Sequence, residues 1–315
     1  MTKRIETNGK WEPEGVFAAT LTPMNEDLSV NTDLLIQHCK WLLANGLNGI
    51  ALSGTTGEAN SLSVAEKMIM LDDLIAGGIS PEKLIVGTGC CAIPDSVTLS
   101  RHAVKHDVGG VLMLPPFYYK GVSDDGIFAS FDEVIQRVGS DQLRIYLYHF
   151  PRMSAVPLNL PLIERLLKHY PDQIAGIKDS SGDWNNMKTM AEEFPGFRVF
   201  AGSEAFLLDI LRAGGVGCIS ATVNITGFLA GQVFEQWQLD AADSVQAKLT
   251  DIRLLLQKYP FIPMLKGLMQ RYTGNEGWQT MRPPHMRMSQ NEIGELLSIL
   301  ASKSFAPPVK SDSIS

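Results

Sequence analysis

The chain is organised by a regular alternation of short apolar segments with segments of helical periodicity. Strands are predicted at 15–23, 49–53, 84–87, 110–114, 143–150, 174–178, 198–201 and 217–220, and helices at 31–44, 64–76, 96–106, 124–138, 161–169, 185–194 and 205–213. No connection is short enough for a β-hairpin, so the strands must pair in parallel through right-handed crossovers. Eight such units predict an α/β fold, a closed (β/α)8 TIM barrel. A doubly wound open sheet is the rival, but the glycine-rich fingerprint after the first strand is absent, where the residues are Thr20–Pro23.

Strand signals end near Asn224, and helical patterns follow at 228–241, 244–257, 262–272 and 290–301. They predict a C-terminal helical extension packed against the barrel. We therefore divide the chain into a barrel catalytic domain at 13–225 and a C-terminal helical region at 226–303. The remaining residues, 1–12 and 304–315, are expected to form flexible tails.

Charge and hydropathy exclude several classes of partner. The formal net charge is −7 and no basic run occurs, which argues against a nucleic-acid or anionic-membrane partner. No apolar stretch reaches the ~18 residues of a membrane span, and residues 1–6 lack the apolar core of a signal peptide. We expect a cytoplasmic protein.

The cysteines and histidines give no sign of a metal. The four cysteines show no C-x-x-C spacing and lie among apolar residues, which is typical of reduced, buried thiols. His102 and His106 have i, i+4 spacing, but no acidic residue or cysteine nearby in the sequence completes a ligand set. The sequence therefore predicts neither a metal site nor a cofactor.

Lys178 ends the apolar strand at 174–178 and is followed at once by Asp-Ser-Ser-Gly. Burial disfavours a charged ammonium, so a lysine held at such a point can be a free amine that attacks a carbonyl carbon. A lone lysine at a strand end more often reaches out to water. The residues at neighbouring strand ends decide between the two interpretations.

Those residues are hydroxyl-bearing. Strand two runs into Gly54–Glu58, where Thr55 and Thr56 lie between glycines and predict a cradle for a small carboxylate, or else only a tight turn. Strand four is followed by two prolines and by Tyr118 and Tyr119, which could also be an aromatic interface patch. In strand five, alternation places Tyr146 and Tyr148 on one face, with Tyr148 nearer the carboxyl end. An amine, phenols and a carboxylate cradle together predict Schiff-base chemistry on an α-keto acid.

The set of motifs resembles the dihydrodipicolinate synthase/N-acetylneuraminate lyase family over about residues 15–301. The segments that carry the resemblance are 54–58, 118–119, 148–151, 176–181, 201–204, 215–220 and 282–284. The resemblance implies a class I, pyruvate-handling lyase on a (β/α)8 barrel with a C-terminal helical region. It also implies a homotetramer built as a dimer of dimers, with a small keto acid as its substrate.

By the same resemblance, Lys178 is the Schiff-base lysine and Tyr148 the general acid/base. Thr56 would relay protons and, with Thr55, bind the pyruvyl carboxylate, and Tyr119 would complete the relay across a subunit interface. The carbonyl of Ile219 would face the lysine. Further substrate-binding positions are Gly54, Gly202, Glu204 and Met153.

Two positions bear on the substrate. Synthases of the family carry an arginine where this chain has Met153, while Arg152 is one position early and, on an extended segment, would point the other way. Glu204 matches an acidic position that contacts substrate hydroxyls in sialic-acid lyases, although a structural capping role is an equal alternative.

We therefore predict an aldolase or dehydratase that acts on a 2-keto-3-deoxy sugar acid or a 4-hydroxy-2-oxo acid, with pyruvate as product or ligand. A 4-hydroxy-tetrahydrodipicolinate (dihydrodipicolinate) synthase is the first alternative. A non-catalytic keto-acid-binding paralogue is the second.

Overall fold

A computed structural model describes residues 12–308 as a closed barrel of eight parallel strands. Each strand pairs with its neighbours in chain order, and β8 pairs with β1. The strands are β1 Gly15–Ala19, β2 Gly49–Leu52, β3 Leu84–Gly87, β4 Gly110–Met113, β5 Ile145–His149, β6 Ile174–Asp179, β7 Arg198–Ala201 and β8 Gly217–Ser220. The predicted TIM barrel is confirmed.

Helices follow the strands close to the predicted positions. They are α1 Thr32–Ala44, α2 Val64–Ala76, α3 Ile93–Lys105, α4 Asp124–Val138, α5 Pro151–Ser154, α6 Leu160–His169, α7 Trp184–Glu193 and α8 Leu207–Arg212. Local chemistry fixes several starts: the Ser63 hydroxyl accepts the Glu66 N–H, and the Glu66 carboxylate accepts the Ser63 N–H. The single-turn helix α5 was not predicted.

Four more helices follow β8 within the described residues: α9 Val223–Gln236, α10 Ala241–Leu256, α11 Phe261–Thr273 and α12 Gln290–Ser302. The first of them, α9, packs against β1 and so forms the outer layer of the last barrel unit. The boundary predicted at residue 225 falls inside this helix. The helices α10 to α12 form the C-terminal extension.

The barrel interior is filled by aromatic and aliphatic side chains. Phe200 makes edge-to-face contacts with Phe17 and Tyr146, with ring centroids 5.6 and 5.7 Å apart. Gly110 leaves the room that Tyr146 needs, since a Cβ there would lie 2.5 Å from the ring. A larger apolar core lies between the strands and the surrounding helices. The interior is therefore packed, and a site can open only at an end of the barrel.

The predicted flexible tails, 1–12 and 304–315, lie mostly outside the described residues. In the described part of these segments, the Glu12 carboxylate accepts a hydrogen bond from Arg198, and Phe305 is buried with its ring stacked on Phe228. These two residues are packed onto the fold. Within residues 12–308, no helix combines the length and apolarity that crossing a bilayer requires.

Candidate active site

Lys178 lies near the carboxyl end of β6, inside the barrel. It pairs in register with Tyr148 on β5 and with Phe200 on β7, and it is only 4% exposed. Its side-chain nitrogen lies 4.4 Å from the centroid of the Tyr148 ring. The strand order thus brings an amine over the face of a phenol in a nearly dry environment.

Tyr148 connects the lysine to the loop after β2. Its hydroxyl lies 3.4 Å from the Thr55 hydroxyl, a long hydrogen bond, and its ring stacks on Phe150 with centroids 5.6 Å apart. Thr56 is buried and Thr55 is half-buried. Tyr148 on β5 and the threonine pair after β2 therefore lie at the same end of the barrel as Lys178.

The loop from Ser53 to Glu58 is strongly bent. Ser53 and Glu58 have φ values of 54° and 58°, a left-handed conformation that non-glycine residues rarely adopt. The Thr22 hydroxyl donates a 2.8 Å hydrogen bond to the Gly57 carbonyl, and a Cβ on Gly57 would lie 2.8 Å from the Thr20 carbonyl oxygen. The hydrogen bond from Thr22 and the close packing at Gly57 thus hold the bent loop, and with it the two threonines, in place.

Glu58 is tied to the C-terminal extension, which sequence reasoning missed. Its carboxylate accepts a hydrogen bond from Lys266 on α11, and also one of 3.0 Å from the Arg282 backbone N–H. Lys266 donates a second bond of 2.8 Å to the Thr280 carbonyl. A lysine within an otherwise apolar helical stripe was the available signal, because such a residue needs a buried anion.

Ser53 is a second residue that the sequence did not single out. Its hydroxyl is buried and has no hydrogen-bond partner among the described residues. It directly precedes Gly54, at the carboxyl end of β2. An orphan hydroxyl next to the threonine pair is available to a ligand.

Ile219 lies on β8 and Gly202 follows β7. Ile219 is completely buried on β8 and belongs to the interior cluster that includes Tyr148. Gly202 follows β7, and its N–H donates a 2.6 Å hydrogen bond to the Asp179 carbonyl. A Cβ on Gly202 would lie 2.2 Å from the Ser180 hydroxyl oxygen, so only glycine fits there.

Glu204 is completely buried, and both of its carboxylate oxygens are engaged. It accepts hydrogen bonds from the hydroxyls of Ser220, Thr222 and Thr226, and Arg253 on α10 lies 3.3 Å away. This arrangement favours the structural alternative for Glu204 over contact with substrate hydroxyls.

Two other predicted residues lie outside this cluster. Tyr119 and its neighbour Tyr118 are each 73% exposed, with ring centroids 5.3 Å apart and nearly perpendicular planes. Met153 is 60% exposed on α5. Within a single chain, neither side chain is part of the buried lysine site.

The segment after Tyr148 is helical, so our extended-strand argument about Arg152 was wrong. Pro151 begins α5, and the Ser154 N–H bonds to the Phe150 carbonyl at 2.9 Å, which closes one helical turn. Successive side chains on a helix are about 100° apart rather than on opposite faces. Arg152 and Met153 both point to solvent.

His149 positions the segment beyond α5. Its Nδ1 accepts the Leu158 N–H at 3.1 Å, and it pairs in register with Asp179. Burial lowers the pKa of His149, and the carboxylate of Asp179 partly offsets that effect. A neutral ring keeps the acceptor nitrogen that the loop requires.

A separate cavity opens at the amino-terminal ends of the strands. Arg144, Tyr146 and Arg198 are among its lining residues, and burial raises the pKa of Tyr146. In barrels of this class the amino-terminal face serves stability, whereas chemistry occurs at the carboxyl face. The lysine cluster is therefore the candidate active site.

Comparisons with known proteins agree with the barrel fold. The sequence profile of the Dihydrodipicolinate synthetase family matches residues 12–303. An uncharacterized DapA-like lyase of Chloroflexus aurantiacus is 35% identical over 289 residues, which are 90% of this chain and 95% of the relative. The crystal structure of dihydrodipicolinate synthase from Agrobacterium tumefaciens superposes with a TM-score of 0.85 at 30% identity, covering 92% of this chain and 99% of that chain. A variant of the Sulfolobus solfataricus 2-keto-3-deoxygluconate aldolase shares the fold, with a TM-score of 0.82 at 19% identity over 92% of this chain and 96% of that one.

Proposed function

The chain belongs to the Dihydrodipicolinate synthetase family, and on that basis we propose that it is a Schiff-base-forming lyase. Its substrate is a 2-keto-3-deoxy sugar acid or a related 4-hydroxy-2-oxo acid, with pyruvate as product or ligand. The observation that carries the proposal is the buried Lys178 nitrogen 4.4 Å from the Tyr148 ring, with the Tyr148 hydroxyl 3.4 Å from Thr55.

The chemistry follows from these groups. The Lys178 amine attacks the C2 carbonyl, and loss of water from the carbinolamine gives an iminium ion. Tyr148 carries protons to the departing hydroxyl and from the C4 hydroxyl of the substrate. Cleavage of the C3–C4 bond sends its electron pair into the iminium, which releases an aldehyde and leaves an enamine. Protonation at C3 and hydrolysis then return pyruvate and free lysine.

The loop after β2 would hold the substrate carboxylate. Thr55 and Thr56 supply hydroxyl donors at the rim of the site, and the backbone around Gly54 supplies N–H groups. The carbonyl of Ile219 would accept a hydrogen bond from the carbinolamine, and Gly202 lets the β7 loop pack closely against Asp179 and Ser180, which follow the lysine. A dehydratase would form the same iminium ion and differ in the next step, because loss of a C3 proton would expel the C4 hydroxyl as water and leave the C3–C4 bond intact.

A second candidate is 4-hydroxy-tetrahydrodipicolinate synthase, which condenses pyruvate with aspartate semialdehyde. The Agrobacterium synthase at 30% identity favours it, and the helical α5 turn removes one objection to Arg152 as the carboxylate-binding arginine. Met153 at the usual arginine position still favours the sugar-acid substrates.

We further propose a homotetramer in which Tyr119 of one subunit completes the proton relay of another. The exposed aromatic pair supports this, since such patches are typical of interfaces. We also propose a cytoplasmic location, supported by four free cysteines. One of them, Cys91, is exposed, whereas the sequence analysis predicted buried thiols.

Borohydride reduction in the presence of pyruvate, followed by peptide mass mapping, tests the imine. We expect one reduced pyruvyl group on Lys178, no adduct in Lys178→Arg, and an unchanged adduct in Lys188→Arg, which alters an exposed lysine on α7. Absence of any adduct would favour the non-catalytic keto-acid-binding alternative.

Two further measurements assign the role of Tyr148 and the substrate. Exchange of the pyruvate methyl protons for deuterium reports enamine formation without a known substrate, and Tyr148→Phe should slow it about 10²-fold or more. Pyruvate release from a panel of 2-keto-3-deoxy acids, set against condensation with aspartate semialdehyde, separates the lyase from the synthase.

A further inference from the structure

Three potential metal ligands meet on the outside of the barrel, between α2 and α3. Nε2 of His102 lies 2.8 Å from Oδ1 of Asp72, and Nε2 of His106 lies 2.7 Å from the same oxygen. The ligand atoms of the three residues all lie within 4.8 Å of one another. His102 lies in the last turn of α3, His106 is the residue that caps the carboxyl end of α3, and Asp72 lies on α2, which packs beside it.

The histidine spacing explains how the rings converge. Residues at i and i+4 lie on one helix face, one turn apart, and the two ring centroids are 4.8 Å apart. Two histidines at this spacing are a recurrent zinc-binding arrangement in proteins. The sequence predicted no metal because no nearby acidic residue or cysteine completes a ligand set with these histidines, but the fold supplies a carboxylate from α2.

The orientation of His102 points to a ligand other than the carboxylate. Its Nε2 is buried and makes no hydrogen bond with any described residue, although Asp72 Oδ1 is 2.8 Å away. The ring nitrogen is therefore directed beside the oxygen and not at it. The direction in which the nitrogen points is open to a metal ion that His102 Nε2 and Asp72 Oδ1 bind together, since such an ion lies in the imidazole plane about 2.0–2.1 Å from the nitrogen.

The distances require only a small adjustment. In a tetrahedral site with bonds of about 2.0–2.1 Å, ligand atoms lie about 3.3 Å apart. The two nitrogen–oxygen separations of 2.8 and 2.7 Å are about half an ångström shorter, and the side chain of Asp72 is 47% exposed, which leaves its carboxylate free to swing outward. Those of His102 and His106 are 12% and 26% exposed, so the imidazoles are the fixed part of the site.

From this geometry we propose that Asp72, His102 and His106 bind a divalent transition-metal ion, with zinc as the best match. Two imidazoles and one carboxylate suit zinc, copper and nickel better than magnesium or calcium, which prefer oxygen ligands. Water completes the coordination on the exposed side. The ion cross-links α2 to α3 and stabilises the folded barrel, because it binds the native state and not the separated ligands of the unfolded chain.

Titration of tag-free protein with Zn²⁺, followed by calorimetry and thermal unfolding, tests the site. We expect one equivalent bound per chain and a rise in Tm of several degrees at saturating zinc. His102→Gln and His106→Gln should each weaken binding at least tenfold and remove the rise in Tm. Co²⁺ in place of zinc should give a visible spectrum that lacks the near-ultraviolet thiolate band.

Two variants serve as matched controls. His169→Gln removes an exposed histidine on α6, and Cys91→Ser removes the exposed thiol before α3; both should bind zinc like the wild type. Stoichiometric binding that survives in the His102→Gln/His106→Gln double variant, or no binding by the wild type, overturns the proposal. The pyruvate adduct on Lys178 should form equally in all these variants, so the outcome is independent of the proposed function.

Discussion

The side chains of Lys266 and Glu58 form a completely buried ion pair, although the two residues are 208 positions apart in the chain. The pair joins α11 of the C-terminal extension to the loop that carries Thr55 and Thr56. Burial lowers the pKa of Lys266, and the charge of Glu58 partly offsets that effect. The extension therefore supports the candidate active site directly.

Replacing one partner of this pair should be costly. Lys266→Met leaves the Glu58 carboxylate buried without a cation, which we expect to lower the free energy of unfolding by about 3–5 kcal/mol in urea titrations. The double variant Glu58→Gln/Lys266→Met should lose much less than the sum of the single changes, because no charge is then left unpaired. A cost below about 1 kcal/mol for Lys266→Met would show that the pair does not hold the loop.

Glu204 gives a test that separates support from substrate binding. Glu204→Gln replaces a carboxylate that accepts three hydroxyl hydrogen bonds and lies beside Arg253 by a neutral amide. We expect this change to lower the free energy of unfolding by about 2–4 kcal/mol. The rate at which the variant exchanges the methyl protons of pyruvate for deuterium, divided by the amount of folded protein, should remain close to the wild-type rate. A variant with wild-type stability and a raised KM would instead support the substrate-contact alternative.

His38 should make the fold sensitive to acid. Burial lowers its pKa to about 4, with an opposing effect from its 2.8 Å contact with Asn224. Between pH 6.5 and about 4 the unfolded chain binds a proton that the folded chain does not, so stability falls as pH falls through this range. The loss is on the order of 3 kcal/mol. Free energies of unfolding measured from pH 7 to 4 should fall less steeply in His38→Gln, and parallel curves would contradict the assignment.

The exposed tyrosine pair should mark a subunit contact. Replacing Tyr118 and Tyr119 together by serine removes two aromatic anchors, which we expect to weaken self-association at least tenfold in sedimentation velocity experiments. Met286→Ser alters a side chain of similar exposure, 77%, elsewhere on the surface and should leave assembly intact. A wild-type protein that is monomeric at about 10 μM would contradict the proposal, because a stable interface of standard size persists at that concentration.

The sequence determined the barrel and the central part of its candidate site. Alternation of short apolar strands with amphipathic helices leaves few topologies, and a closed parallel barrel is the one in which every strand pairs with two neighbours. The same local rules placed Lys178 at the carboxyl end of a buried strand and Tyr148 on the inward face of its neighbour. Both inferences succeed because strand periodicity and strand ends are properties of contiguous residues.

Only the tertiary structure decided how distant polar groups combine. The partner of Glu58 comes from the C-terminal extension, Glu204 is engaged by hydroxyls of β8 and α9, and Asp72 joins two histidines of the next helix. One turn of helix at Pro151 also replaced the extended segment that local pattern had suggested. Side-chain pairing of this kind depends on barrel closure and helix packing, because residues far apart in sequence carry no mark of each other until the chain is folded.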